Sequence, residues 1–282
     1  MFGRTQFRIA LLLGLSALPG NAFSQSQQAA GKELSIDIVL RSPVLLTPTE
    51  HQTLKREIRA HGWDNAEEIV RELYQEKGYF KVQARSIQTP SRSSKTLVLQ
   101  VVPGGQYHLM RISWRGNAAL SQAELTKLVP FEPGELFRKS KIVEGLNSAK
   151  KLYDAQGYIN YVVIPTPLTD DSAGTIAFEM VVDEGEQFRF GELDVQGMEE
   201  AHREILLSAW QGLRGRPYSA EGADRFFNQY FRSPRPHVNP ANYAVRRIDE
   251  RKGSVNYSLQ FVPWIRYRVP GVRNWKESKV PN

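Results

Sequence analysis

The stretch LYDAQGYINYVVI, residues Leu152–Ile164, places a helix-like segment directly before a strand-like segment, with a Gly-Tyr pair between them. A second stretch, LYQEKGYFKVQ at Leu73–Gln83, has the same Leu-Tyr, three intervening residues and Gly-Tyr. Glycine adopts the left-handed backbone that often follows a helix without strain, so Gly78 and Gly157 are predicted to end two helices. Two copies of one helix end indicate a repeated domain.

Around the first copy, the hydrophobic pattern predicts the order strand, helix, helix, strand, strand. Apolar residues alternate with polar ones over residues 34–40, as they do in a half-buried strand. Thr49 with Gln52, and Asp64 with Glu67, have the spacing of capping boxes before two amphipathic segments. The segment TLVLQVV then supplies the last strand of this repeat.

The second copy repeats this order more clearly. Alternating residues predict a first strand around Ile112, and Ser121 with Glu124 has capping-box spacing before a helix. The turn-rich stretch TDDSAG separates two strands that are predicted at Asn160–Ile164 and Ile176–Val182.

A third copy runs from FRFGELDVQG to SVNYSLQF, but it lacks the Gly-Tyr pair. The proline-rich stretch SPRPHVNP stands in its place and ends the helix, because proline cannot continue one. The sequence therefore predicts an α+β chain of three tandem β-α-α-β-β domains, each a three-stranded sheet covered by two helices. The predicted boundaries are 1–24 for a signal peptide, 25–31 for a linker, 32–105, 106–186 and 187–263 for the domains, the third being divergent, and 264–282 for a tail.

The first residues indicate export. Arg4 and Arg8 precede an apolar segment, Ile9–Leu18, and Ala22-Phe23-Ser24 has the small-x-small pattern of a cleavage site. An uncleaved membrane anchor is the alternative, but a spanning helix needs roughly twenty apolar residues. We therefore predict a cleaved signal peptide. The sequence has no cysteine, which excludes an anchor through a lipidated N-terminal Cys.

The positive charge of the chain is concentrated near its C-terminal end. The net charge is +7, and residues 233–282 contain ten Lys or Arg against three Asp or Glu. Interleaved aromatic and cationic side chains suit an anionic membrane surface or an acidic protein groove, and a solvated end is the alternative. Export argues against a nucleic acid partner. The predicted contact residues in the tail are Trp264, Arg266, Tyr267, Arg268, Arg273 and Trp275.

The sequence contains no combination of residues that is typical of catalysis or metal binding. Its histidines, without cysteine to assist, have no His-x-His or His-x3-His spacing, and phosphate-binding and nucleophile motifs are missing. The pair Asp170-Asp171 precedes Ser, Ala and Gly, which favours a hairpin turn over an acid-base pair. We expect no enzyme activity, cofactor or metal. The histidines are His51, His61, His108, His202 and His237.

Several short motifs together resemble the polypeptide-transport-associated (POTRA) domain. The resemblance covers nearly all of the mature chain and is strongest in the second repeat. It implies the tandem β-α-α-β-β fold and a periplasmic location, peripheral to the outer membrane. The motifs are the two Leu-Tyr-x3-Gly-Tyr helix ends, Gly116-Asn117 and Gln196-Gly197 after first strands, Pro133-Gly134-Glu135 between helices, and Val181-Val182 with Gly185 at a strand end.

The resemblance also implies protein partners. POTRA arrays precede outer-membrane β-barrels, but the nineteen residues after Pro263 are too few for a barrel, so we expect the barrel protein to be a separate chain. That protein or its unfolded clients would pair with an unpaired sheet edge. A short or covered edge, and a structural spacer that binds no client, are the alternatives. The predicted edge residues are Asn160, Tyr161, Val162, Val163 and Ile164.

Overall fold

The structure is a computed structural model that describes residues 37–90, 96–232, 244–260, 266–267 and 276–277. The predicted signal peptide and linker lie outside these residues. The chain forms two compact units. The first takes its described residues from 1–113, 130–143 and 164–180, and the second from 114–129, 144–163 and 181–282. The division falls within the second repeat, and the three domain boundaries stay predictions.

The described residues follow the order strand, helix, helix, strand, strand in the first repeat, and the second and third repeats keep this order with one additional two-residue strand each, which confirms the predicted α+β fold class. No described helix has both the length and the apolar character that crossing a membrane requires. The strands are β1 Asp37–Arg41, β2 Gln83–Gln88, β3 Thr96–Val102, β4 His108–Arg115, β5 Glu135–Leu136, β6 Val162–Asp170, β7 Thr175–Asp183, β8 Arg189–Gln196, β9 Phe231–Arg232, β10 Ala244–Asp249, β11 Ser254–Gln260, β12 Arg266–Tyr267 and β13 Lys276–Glu277. The helices are α1 Pro48–His61, α2 Ala66–Glu76, α3 Gln122–Thr126, α4 Lys139–Ala155, α5 Glu200–Gln211 and α6 Ala220–Tyr230.

The first repeat is a three-stranded sheet in the order β1-β3-β2. The central strand β3 pairs in parallel with β1 and antiparallel with β2. Apolar residues of both helices pack on this sheet, because their spacing places them on one helix face. The buried residues of this core include Ile38, Leu54, Ile58, Val70, Tyr74, Leu97 and Leu99.

Two of the three predicted helix caps are wrong. The side chain of Thr47, not Thr49, accepts the N–H of Glu50 and completes a capping box, with Pro48 as the first helical residue. Asp64 lies in a short 3-10 turn before α2, so Glu67 does not complete a box with it and instead accepts the N–H of Ser86. The predicted box of Ser121 with Glu124 is confirmed at α3.

The second repeat has four strands rather than three, in the order β5-β4-β7-β6. The additional strand, β5, follows Gly134, whose φ of 89° turns the chain. Its residues then pair antiparallel with the start of β4. The repeat therefore keeps the predicted order and adds one short strand between its helices.

The third repeat forms a sheet in the order β10-β11-β8, with β11 parallel to β8 and antiparallel to β10. Its core is built around Trp210, which is fully buried and donates its indole N–H to the carbonyl of Gly191 at 2.9 Å. The hydroxyls of Tyr218 and Tyr257 are 3.0 Å apart inside the same core. Helix α6 adds two buried aromatic residues to this core, Phe226 and Phe227.

Candidate functional site

The candidate site is the edge formed by β6, the terminal strand of the second sheet among the described residues. Three apolar side chains of this strand are half exposed: Val162 at 53%, Ile164 at 57% and Leu168 at 52%. Exposed apolar residues on a terminal strand favour the addition of another strand. Of the predicted edge residues, Val162, Val163 and Ile164 lie in β6.

The other two predicted edge residues, Asn160 and Tyr161, precede the strand. The N–H of Tyr161 donates to the carbonyl of Tyr158, so a turn follows the helix and the strand begins two residues later than predicted. The Tyr161 ring is buried and stacks on Tyr153 at 4.2 Å between ring centroids. Burial raises the pKa of the Tyr161 hydroxyl, and this side chain belongs to the core.

Two prolines determine which backbone groups β6 offers at its free side. In an antiparallel strand, the N–H and C=O of one residue point to one side and those of the next residue to the other. Proline lacks an N–H and is therefore placed where a terminal strand faces away from its neighbour. We therefore infer that Pro165 and Pro167 face away from β7, and that Val163 does the same because it is separated from Pro165 by two positions. On this outward side Val163 offers an N–H donor, whereas Pro165 and Pro167 offer only their carbonyl oxygens as acceptors.

A second feature of the structure is the pair of contacts that hold each Gly-Tyr helix end. Gly78 has a φ of 86°, and its carbonyl accepts the N–H of Tyr107 at 2.9 Å. The carbonyl of Tyr107 in turn accepts the N–H of Phe137 at 2.9 Å. The residue that begins the second repeat is therefore held between the helix end of the first repeat and the segment at β5. We call this arrangement the first joint.

The second joint repeats the same bonds. Gly157 has a φ of 91°, and its carbonyl accepts the N–H of Phe188 at 2.8 Å. The carbonyl of Phe188 accepts the N–H of Tyr218 at 2.9 Å. The predicted left-handed glycines at both helix ends are confirmed, and each also makes a backbone contact with the start of the next repeat.

A glutamine side chain closes each joint. The side-chain amide of Gln106 donates to the carbonyl of Lys77 at 2.9 Å, and that of Gln187 donates to the carbonyl of Gln156 at 3.0 Å. Helix ends leave carbonyls without partners inside the helix, and these amides satisfy one at each end. The sequence contains a signal for this role, because a Gln-aromatic pair begins both the second and the third repeat.

The residue after each Gly-Tyr pair is apolar and packs into the following repeat. Phe80 lies edge-on to Phe137, Phe178 and Tyr107, with centroid distances of 5.3, 6.1 and 6.1 Å. Ile159, at the same position in the second copy, packs against the core of the third repeat. Each joint therefore combines backbone hydrogen bonds with an apolar contact.

Charged groups surround the first joint. Lys81 donates to both carboxylate oxygens of Asp171 at 2.5 and 2.7 Å, and the Tyr107 hydroxyl donates to the same carboxylate at 2.7 Å. The Lys81 ammonium, followed by the Tyr107 hydroxyl, lowers the pKa of Asp171. The pair Asp170-Asp171 lies at the predicted turn between β6 and β7. The Asp171 carboxylate thus holds the joint, and the Asp170 carboxylate accepts the hydroxyl and the N–H of Ser172 at 2.6 and 3.0 Å within the turn.

The start of α4 is held by the first repeat. The Glu76 carboxylate accepts the N–H and the hydroxyl of Ser140 at 2.6 and 2.7 Å. A carboxylate at a helix N-terminus satisfies unpaired donors and complements the helix dipole. Lys139 adds ion pairs with Glu72 at 2.9 Å and Glu68 at 3.4 Å.

Two further predictions concern metal binding and the basic aromatic tail. Residues 37–90, 96–232 and 244–260 contain no group of His, Asp and Glu side chains that could hold a metal ion. In the tail, Trp264, Arg268, Arg273 and Trp275 lie outside the described residues. Arg266 and Tyr267 form β12, which pairs antiparallel with β9 at the end of α6 and with β13.

Comparison with known proteins identifies the second repeat. Residues 107–185 match the POTRA family, described as the surface antigen variable number repeat. This region is a POTRA domain. The solved structure of POTRA domains 3–5 of BamA from Haemophilus influenzae is 19% identical and has a TM-score of 0.56, covering 79% of this chain and 94% of that structure. The chain therefore has the fold of a tandem POTRA array.

Individual relatives match shorter parts. POTRA domain 4 of Haemophilus influenzae BamA is 33% identical over 29% of this chain and 94% of that structure, with a TM-score of 0.27. The outer membrane protein assembly factor BamA of Buchnera aphidicola is 22% identical over 56% of this chain and 26% of its own length. The chain spans about a quarter of the length of the curated relatives that it matches.

Proposed function

We propose that this POTRA protein acts without catalysis in outer-membrane protein assembly or secretion, where it binds client or partner polypeptides by strand addition. The observation that carries the proposal is the β6 edge. It combines a terminal strand with three half-exposed apolar side chains. The positions of the two prolines add an outward N–H at Val163. An extended segment with alternating apolar residues would pair with this backbone and cover these side chains.

The partner that fits is an outer-membrane β-barrel protein or its unfolded clients, because barrel strands alternate apolar and polar residues and are extended before insertion. The site of action would be the periplasm, peripheral to the outer membrane, reached through the signal peptide predicted at residues 1–24. The basic aromatic tail would add contact with an anionic membrane surface. The relatives named as outer membrane protein assembly factors support the same process.

A second candidate function is that of a rigid spacer in the cell envelope that binds no client. The two joints favour it, since each combines backbone hydrogen bonds, a glutamine contact and apolar packing. A spacer needs fixed joints and no free edge. The two functions therefore differ in whether an extended peptide binds β6.

The test uses a labelled peptide from an outer-membrane strand, uncharged and alternating in apolar residues, with the mature protein and two variants. Val163→Pro removes the outward donor and leaves the side that pairs with β7 unchanged, whereas Val163→Thr keeps the donor. We expect the proline variant to bind at least about tenfold more weakly and the threonine variant to bind like wild type. Circular dichroism checks that both variants are folded. Equal binding by the folded proline variant excludes this edge, and no binding by wild type favours the spacer.

A further inference from the structure

The third repeat has a terminal strand that differs from β6 in its backbone. Strand β10 pairs antiparallel with β11 over all six of its residues, Ala244–Asp249, and the register does not shift. It contains no proline, so every residue keeps its N–H. Among the described residues it is the end of the order β10-β11-β8. Its outward side therefore offers an unbroken alternation of donors and acceptors.

The corresponding strand of the first repeat is less suited to pairing. In β2 the register shifts between Ser86 and Gln88, and the Glu67 carboxylate accepts the N–H of Ser86 at 2.8 Å. Bulges and occupied donors at a sheet edge oppose the addition of a strand. In β6, Pro165 and Pro167 remove two outward donors. Of these three equivalent strands, β10 has the most complete ladder for an added strand.

The side chains of β10 are cationic on both faces. Arg246 lies opposite the buried Tyr257 in the strand register, and its guanidinium donates to the Tyr218 hydroxyl, whereas Arg247 lies opposite Asn256 on the other face. Val245 and Ile248 are exposed apolar residues beside them. An added strand would therefore place its own side chains next to a guanidinium whichever face they occupy.

An open hollow lies at the end of this strand. Its lining includes the two arginines Arg247 and Arg251 and the apolar Ile248, together with Asn256 and the carboxylates of Asp249 and Glu250. From Ala244 to Lys252 the chain has four cationic and two acidic residues, which leaves a net positive charge. Guanidinium groups bind carboxylates in paired hydrogen bonds, so the charge of this edge is complementary to an acidic segment.

We propose that the β10 edge binds an extended acidic segment of a partner protein by strand addition. The proposal rests on the proposed function, since it assigns to this chain a second edge for the same mode of binding and the chemistry of its partner. Uncharged strands bind there less well, because they bury the guanidinium groups of Arg246 and Arg247 without a counter-charge. Acidic residues at consecutive positions of the segment pair with the two arginines, and its apolar residues cover Val245 and Ile248.

The test compares two labelled nine-residue peptides on the mature full-length protein. Both alternate apolar residues, and one has two adjacent glutamates where the other has glutamines. We expect the acidic peptide to bind at least about tenfold more tightly than its glutamine counterpart. N-methylation of alternate amides in the acidic peptide should abolish binding, because it removes the donors of the ladder. Equal binding of the N-methylated peptide overturns the proposal.

Matched charge reversals locate the site. Arg247→Glu should weaken binding of the acidic peptide at least about tenfold, because it replaces attraction by repulsion at the edge. Arg56→Glu makes the same change of charge on α1 in the other compact unit and should leave binding unchanged. Equal loss in both variants means non-specific attraction and overturns the proposal. So does a lack of binding by wild type, the result expected where a segment of this chain or a second copy already covers the edge.

The test of the β10 edge can be distinguished from the test of the β6 edge. Val163→Pro should keep its affinity for the acidic peptide, and Arg247→Glu should keep its affinity for the uncharged barrel peptide. If neither peptide binds the wild-type protein, strand addition is excluded at both edges. If the acidic peptide alone does not bind, only the β10 site is excluded.

Discussion

The carbonyl of Gly157 accepts a hydrogen bond from the N–H of Phe188 at 2.8 Å, and the left-handed backbone of the glycine directs that carbonyl toward the start of the next repeat. Gly78 and Tyr107 make the same bond at 2.9 Å. The Gly-Tyr motif therefore has two roles. It ends a helix, and it joins one repeat to the next.

Gly157→Ala should destabilise the protein strongly. At this position a Cβ would collide with the Phe188 carbonyl oxygen, in addition to the strain of a φ of 91°. Gly134 provides a matched control, because its φ is 89° and a Cβ there would contact nothing within 4 Å. We expect Gly134→Ala to cost about 1 kcal/mol from strain alone and Gly157→Ala at least about 2 kcal/mol. Urea unfolding measures the free energy of unfolding of both variants. Equal losses of this free energy would show that the collision at Gly157 is relieved at no cost.

Gln187→Glu should loosen the second joint. The variant keeps an oxygen for Arg189, which donates to Gln187 at 3.0 Å, but it loses the amide that donates to the Gln156 carbonyl. We expect a loss of about 1 kcal/mol in the free energy of unfolding and faster hydrogen exchange at the Phe188 amide. Gln196→Ala, in which the removed amide donates to Asp194 within β8, should leave exchange at Phe188 unchanged. Unchanged exchange in Gln187→Glu would contradict a role in the joint.

The contact between Lys81 and Asp171 should depend on pH. The pKa of Asp171 is lowered in the folded protein by Lys81 and then by Tyr107. A lowered pKa stabilises the folded state above the ordinary aspartate value of about 3.9, and this stabilisation is lost as the pH falls through the lowered value. Lys81→Met should therefore raise the pKa of Asp171 toward its ordinary value. Titration of the Asp171 carboxyl by NMR measures the change, and an unaltered pKa would contradict the pairing.

Pro167→Thr should make the β6 edge more able to pair. The substitution restores an outward N–H in a strand whose other residues are unchanged, and threonine favours extended backbone. We expect stronger binding of the uncharged barrel peptide and greater self-association in sedimentation velocity. Leu168→Thr is the control, because it changes a neighbouring exposed side chain and keeps the same backbone donors. Equal peptide binding and equal self-association of the two variants would mean that the side chains, and not the backbone donors, limit pairing at this edge.

The sequence contained enough information for the order of elements and for the helix ends. The left-handed conformations of Gly78 and Gly157 follow from local backbone sterics, so the residues alone predict them. The capping residues of the first two helices were wrong at Thr49 and Asp64, because Pro48 shifts the helix start and a 3-10 turn precedes α2. Helix starts depend on one or two residues whose preferences overlap, and several capping patterns compete within a few positions.

Other features depend on distant contacts. Strand β5 has two residues and forms because they pair with β4, which no periodicity of the sequence indicates. The late start of β6 follows from the turn at Tyr158 and from the stacking of Tyr161 on Tyr153. The outward direction of Val163 was available from Pro165 and Pro167 once β6 was known to be terminal. A proline at Val162 would instead remove a donor to β7, so substitution at position 163 is the one that tests the outward donor.

The repetition of one carbonyl-to-amide bond at both junctions has an evolutionary consequence. Excision of Gln106–Glu186 would bring Gln187-Phe188 directly behind Gly105 and present the Gly78 carbonyl with the same kind of partner that it has now. Repeats that make the same junction hydrogen bonds can replace one another. Genetic recombination could therefore lengthen or shorten the series of repeats without requiring a new kind of contact at the junction.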